Sequence, residues 1–312
     1  MADEWTQPAR RELLRLRGGE PGWGYRAGAT PGVEPTALAC LGLLVSEPDA
    51  PPADGRRALR DTADWLATIQ RPDGSLGLSA TQPTPGWTTP YALLLWKALA
   101  TREPECRRAA RWLLGIKGRT TPRSDDPEHI VGHDTTLVGW PWVADTHSWL
   151  EPTALAILAL GRAGLGEHPR VVEGLRLIRD RAVDTGGWNF GNKAAFGRRL
   201  RPQPAPTGLA LLTLAQTPGE PRSPLVDRAI RYLTAALPGV SAAWSLGWGL
   251  LGLRAWGVEP EGAEHWLAEA YRHALGHPDA APRLALLLLA AGGRALSLFR
   301  REASAAEPSR DL

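Results

Sequence analysis

The segment "TTPRSDDPEHIVGHDTTLVGWPWVADTHSWLE", residues 120–151, gathers more potential chemistry than any other stretch of the chain. It carries His129, His133 and His147, three of the seven histidines, with Asp125, Asp126, Glu128, Asp134, Asp145 and Glu151, and the indoles of Trp140, Trp142 and Trp149. Carboxyls and imidazoles move protons near neutral pH, and a carboxyl set against apolar walls is held as a neutral acid. Glu151 leads the candidates, because it stands directly before "PTALAILAL", a run apolar enough to be buried on every side. Glu34 heads almost the same phrase, "EPTALACLGLL". A plainer role is open to both, since an anion at a helix N-terminus is favoured by the helix dipole by about 0.3–1 kcal/mol. Aligned on proline, however, Thr89 and Ala205 take the same place in other copies of the phrase, so the fold does not demand a glutamate there. His147, Asp145 and Asp134 complete the catalytic candidates, His147 because a residue four before Glu151 could hydrogen-bond that carboxylate or another.

Trp occurs 14 times against 4 Tyr and 3 Phe. Indole faces stabilise cations better than phenyl rings do, so Trp140, Trp142, Trp149, Trp244 and Trp248, with Glu34, are the candidate substrate-binding residues. Trp23 and Trp188 follow glycines and read as loop braces. His129 and His133, spaced i, i+4, are the residues that could hold a metal ion, but Pro127 and Gly132 oppose a helix there. No metal and no other cofactor is expected. With only Cys40 and Cys106 there is neither a disulfide framework nor a four-cysteine zinc site.

The elements that must position these residues repeat. "EPTALACLGL", "TPYALLLWKAL", "EPTALAILAL" and "APTGLALLTLA" begin at Glu34, Thr89, Glu151 and Ala205, and two degenerate copies follow, "SLGWGLLGLRAWG" and "APRLALLLLAAGG". Each reads as a helix, apolar nearly all round and therefore buried. Before each lies a helix of mixed Arg-rich and apolar positions at helical spacing, such as "GRRALRDTADWLATIQ" or "LVDRAIRYLTAAL". Six such pairs span residues 8–300. An open solenoid would leave the apolar helices half exposed, whereas a closed ring buries them. The expected fold is all-α, a single (α/α)6 toroid of six inner helices inside six outer ones, occupying residues 1–300 with a disordered tail at 301–312.

Composition narrows the partners. The formal net charge is +3 and no basic stripe with interleaved aromatics is present, which argues against nucleic acid. No signal peptide is read in "MADEWTQPARRELL", and the longest apolar run, residues 284–299, is short for a membrane span and holds Arg294. A cytoplasmic protein is expected; peripheral membrane contact and oligomeric state stay open.

The apolar-helix phrase, together with "GWG" at Gly22, "IQRPDGSLG" at Ile69 and "GGWNFG" at Gly186, resembles the prenyltransferase and squalene-cyclase repeat superfamily. Leu66, Gln70, Gly74 and Ser75 look like that superfamily's Gln-Trp motif, with Leu76 where Trp usually stands. The resemblance implies the toroid, a hydrophobic central cavity and a small apolar, isoprenoid-like substrate. It also exposes departures. Neither cysteine has the Asp and His context of a prenyltransferase zinc site, and the Asp-x-Asp-Asp acid motif of the cyclases is absent; "VEPTA" and "LEPTA" take its place. The expected function is terpenoid-cyclase-like, with Glu151 as the Brønsted acid of a cyclisation. The alternative is a non-catalytic toroid that binds a lipid or a protein partner.

Overall fold

The computed structural model describes residues 2–46, 53–122, 132–217 and 219–302. Helices alternate along it between two layers. The outer series is α1 (Ala2–Arg17), α3 (Ala53–Ile69), α5 (Glu103–Gly115), α7 (Pro169–Asp180), α9 (Pro224–Ala236) and α11 (Ala263–Ala274). The inner series is α2 (Val33–Ser46), α4 (Thr89–Ala98), α6 (Leu150–Arg162), α8 (Pro204–Ala215), α10 (Ala243–Arg254) and α12 (Ala280–Ala291). Each inner helix packs on the next, and α12 packs back on α2, so the ring closes. This is the all-α toroid expected from the repeat.

The two layers differ for the reason the sequence suggests. In α9, Val226, Ala229, Ile230 and Leu233 are the buried positions, a single stripe at helical spacing. In α6, every residue from Leu150 to Gly161 is buried. Glycine allows two of the inner contacts to close tightly. A Cβ on Gly208 of α8 would lie 2.1 Å from the Trp248 carbonyl oxygen of α10, and one on Gly42 of α2 would lie 2.5 Å from the Ala285 carbonyl oxygen of α12. The first helix begins earlier than the expected residue 8, with Pro8 inside it, because buried Trp5 packs on Tyr271 at 5.6 Å and anchors the additional turns.

A recurring brace explains much of the tryptophan. The backbone N–H groups of Trp23, Trp140 and Trp188 donate to the hydroxyls of Thr36, Thr153 and Thr207 at 2.8, 2.9 and 2.9 Å. Their indole N–H groups donate to Leu13, Leu113 and Ile178 carbonyls of the preceding outer helices at 2.6, 2.7 and 2.6 Å. Each indole thus ties one outer helix to the start of the next inner helix. In the second repeat Leu76 takes the indole's place, and its N–H donates to Thr89 at 3.0 Å. Thr89 is therefore the counterpart of Thr36, not of Glu34. Alignment on Pro90 misplaces this repeat by two residues, and Trp87 occupies the position of the two glutamates.

At the far end of the ring, α13 (Ala295–Phe299) touches α4, α6 and α12, helices from opposite sides of the barrel, and so crosses its base. Phe299 is buried and its ring lies 6.3 Å from that of Trp248. Arg301 and Glu302, expected in the disordered tail, are held in place: Glu302 pairs with Arg162 at 3.0 Å and Lys97 at 3.3 Å, and Arg301 pairs with Glu167. The expected tail from residue 303 lies outside the described residues.

Candidate active site

The brace threonines set the register of the mouth. Glu34, Trp87 and Glu151 each stand two residues before one of them, on three consecutive inner helices or their leading turns. Their side chains therefore converge at the N-terminal end of the ring. Each glutamate is only 7% exposed. Tyr25, from the loop after α1, donates its hydroxyl to Glu34 Oε2 at 2.7 Å. The Trp87 indole and the Tyr91 hydroxyl also turn their donors toward Glu34 and favour its charged form. Tyr91 does so without a formed hydrogen bond, since its buried hydroxyl has no partner in bonding geometry among the described residues.

This makes the two carboxyls unequal. Burial raises the pKa of Glu34, but the donors Tyr25, Tyr91 and Trp87 pull against it. Glu151 has no such donor among the described residues, and burial, reinforced by the charge of Glu34, raises its pKa from 4.5 to about 8. At neutral pH Glu151 holds its proton; burial leaves the pKa of Glu34 raised as well, but Glu34 alone has donors that favour its charged form. Tyr91 feels both: burial first, then Glu34 and Glu151, push its pKa well above that of an ordinary phenol.

An open cleft of about 690 Å³ lies at this end of the ring, with Tyr25 and Glu34 on one side and Trp244, Pro282 and Arg283 on others. Asp279, at its rim, is bound by His277 and by Arg283 at 2.7 Å, which hold its pKa down against burial. From the cleft an aromatic series runs inward. Trp248 stands one turn beyond Trp244 with ring centroids 6.2 Å apart, edge to face, and Phe299 follows at the base. On the opposite flank Trp142 meets Trp87 edge to face at 5.1 Å. Of the sequence candidates, then, Glu34 and Trp244 line the cleft, Glu151 lies within electrostatic reach of Glu34, Trp142 packs on Trp87, and buried Trp248 stands behind Trp244.

The others are placed elsewhere. Trp140 is a brace, capped by the Arg170 guanidinium 4.3 Å from its ring centroid. Trp149 leads α6 but its ring lies over Gly191, where a Cβ would come within 3.0 Å. His147 is exposed, because a bridge pairing residues 119 and 147 carries its ring outward, 3.3 Å from the Arg119 carbonyl rather than onto Glu151. Asp145 is exposed on a turn with φ of 62°. Asp134 accepts from the Thr136 N–H and hydroxyl at 2.9 and 2.6 Å and orders its own turn. His129 lies outside the described residues, His133 is half-buried, and no group of three His, Cys, Asp or Glu that could hold a metal ion occurs among the described residues. No helix is long and apolar enough to cross a membrane, again among the described residues.

Tyr25 and Tyr91, which direct their hydroxyls at Glu34, are not singled out by the sequence, and Trp87 has no role assigned from it. Alignment on the threonines would have placed Trp87 opposite the glutamates and Tyr91 one turn beyond it. Tyr25 lies in a loop with no periodic signal.

No protein-family model matches the chain. Over 171 residues, 54% of this chain, it is 26% identical to the squalene–hopene cyclase of Bradyrhizobium diazoefficiens, of which it spans 24% of the length. The type II terpene cyclase MstE from Scytonema superposes with a TM-score of 0.59 at 18% identity, over 89% of this chain and 80% of that one. In fold the chain is an all-α toroid similar to that of the type II terpene cyclases. The same fold in this toroid also matches an α-1,6-mannanase of Salegentibacter sp., with a TM-score of 0.59 at 12% identity, over 96% of this chain and all of that one. Fold alone therefore leaves the chemistry to the site.

Proposed function

We propose that this toroid is a Brønsted-acid cyclase of isoprenoid-like substrates, with Glu151 as the proton donor. One observation carries the reading: a carboxyl with no hydrogen-bond donor among the described residues is buried at the mouth of a ring of apolar helices, where burial pushes its pKa up to about 8 and favours the neutral acid at pH 7. Support comes from the squalene–hopene cyclase likeness and from MstE, which is seen in complex with geranylgeranyl dihydroxybenzoate as its substrate.

The apolar chain enters by the cleft beside Glu34 and Trp244. Glu151 gives its O–H proton to the reacting end of the substrate and becomes a carboxylate. In an alkene the π pair forms the new C–H bond; in an epoxide an oxygen lone pair takes the proton and the C–O bonding pair moves onto oxygen. Either way a carbocation is left on carbon, and the π pair of a distal C=C attacks it to close a ring. The last cation loses a proton, or takes up water, to end the reaction. The ring of Trp244, which lines the cleft, offers a π-face to the moving charge, worth about 0.5–2 kcal/mol to a desolvated cation. Glu34, held by Tyr25, sets a negative potential that keeps the proton on Glu151 and attracts positive charge to the mouth.

An acid of this strength is poorly matched to an unactivated alkene. A terminal epoxide suits it better, because the oxygen is more basic and opening the strained ring drives the step. The test is product analysis by gas chromatography–mass spectrometry with linear polyprenyl substrates, with and without a terminal epoxide. Wild type should cyclise the epoxide and Glu151→Gln should not. Tight binding of these chains with no product from either would put the non-catalytic lipid-binding toroid in its place.

A further inference from the structure

The loop between α7 and α8 ends in a small hairpin whose strands, β1 (Ala194–Ala195) and β2 (Arg198–Arg199), pair antiparallel with Ala194 opposite Arg199. Its two turn residues, Phe196 and Gly197, both have positive φ, 49° and 71°. Two such residues make the tight turn that matches strand twist, and Gly and Asn are its usual occupants. A phenylalanine there is uncommon, and its side chain is 89% exposed, far more than any other large apolar side chain among the described residues. No described residue covers it.

The surroundings are cationic. From Asn189 to Gln203 the chain holds Lys193, Arg198, Arg199 and Arg201 and no carboxylate. Asp184 pairs with Arg199 at 3.1 Å across an exposed gap. Phe190, partway along the same loop, is 46% exposed. The hairpin is also firmly based. Leu200 N–H donates to the Lys193 carbonyl at 2.8 Å, the Asn189 side chain donates to the Arg201 carbonyl at 2.6 Å, and Leu150 N–H of α6 donates to the Phe190 carbonyl at 2.9 Å. That last bond fixes the loop to the residue beside Glu151, at the same end of the ring as the cleft.

We propose that this hairpin is a membrane-docking element that inserts Phe196 into the interfacial region of a bilayer containing anionic lipid. A lone aromatic at a rigid tip presents too little area for a stable protein interface, which needs a contiguous patch. It does suit the headgroup–acyl boundary, where an aromatic ring enters apolar surroundings and flanking Arg and Lys meet lipid phosphates. Charge complementarity selects the anionic surface: three exposed arginines and one lysine flank Phe196 along the chain, and among the described residues one carboxylate, Asp184, pairs with them. Docking in this orientation turns the cleft toward the bilayer, where an apolar substrate would reside. The inference does not depend on the reaction proposed above.

The experiment is co-sedimentation of the full chain with vesicles of phosphatidylcholine alone and of phosphatidylcholine with phosphatidylglycerol, at low and high salt. Variants are Phe196→Ser and the double variant Arg198→Glu with Arg199→Glu, each first shown by thermal melt to be as folded as wild type. Wild type should bind the anionic vesicles and not the neutral ones. The charge reversals should weaken binding by at least about ten-fold, and Phe196→Ser should weaken it by roughly five- to ten-fold even at high salt. Absence of wild-type binding to anionic vesicles, or equal binding to both kinds, overturns the proposal. So does loss of binding in the arginine variant with none in Phe196→Ser, which would reduce the hairpin to a cationic patch.

Discussion

Glu34 and Glu151 occupy the same position in two repeats, and Trp87 stands at that position on the inner helix between them. An indole N–H and two phenol hydroxyls thus reach one carboxyl of the pair, while the other is left among apolar groups. The asymmetry is what makes one of two similar residues a neutral acid.

The pH dependence of stability should reveal that acid. The folded chain holds a proton on Glu151 up to about pH 8, whereas an ordinary carboxyl of pKa 4.5 releases it far earlier. Between those limits the folded state binds more protons than the unfolded one, so stability is fullest at low pH and is lost as pH rises through the folded pKa. Glu151→Gln removes this slope. Urea unfolding at pH 5 and pH 9 should show the wild type losing on the order of a few kcal/mol more than the variant over that interval.

Glu34 should act on Glu151 through its charge. Because that charge raises the pKa of Glu151, Glu34→Gln should lower it. The alkaline limb of the pH–rate profile, set in wild type by the loss of the Glu151 proton at about 8, should move to lower pH in the variant. An unmoved limb would uncouple the two carboxyls.

The brace makes a separate prediction on stability. Thr153→Val keeps the shape of the side chain but leaves the buried N–H of Trp140 without its acceptor. The cost should be about 1–3 kcal/mol in denaturant unfolding, and Thr153→Ser should recover most of it.

At the base of the ring, packing should outweigh charge. Phe299→Ala deletes a buried aromatic and should cost about 3–5 kcal/mol. Glu302→Gln breaks ion pairs with Lys97 and Arg162 that remain in contact with solvent, and should cost under about 1 kcal/mol. Thermal melts of the two variants give the comparison directly.

Periodicity alone revealed the alternation of amphipathic and wholly apolar helices, and with it the closed ring, because burial is written into each helix by local spacing. It also singled out Glu34 and Glu151, since a carboxyl ahead of so apolar a run has few places to go. Which side chains meet was decided only by the tertiary structure. Pro90 suggests one register for the second repeat, but the hydrogen bond from Leu76 to Thr89 imposes another, and that two-residue shift brings Trp87 and Tyr91 to Glu34. The same holds for the 120–151 insert. Its density of His and Asp promised a proton-transfer cluster, yet a bridge at His147 and a local turn at Asp134 spend those side chains on loop geometry. Hydrogen bonds between segments far apart in the chain fix such placements, and composition and spacing carry no record of them.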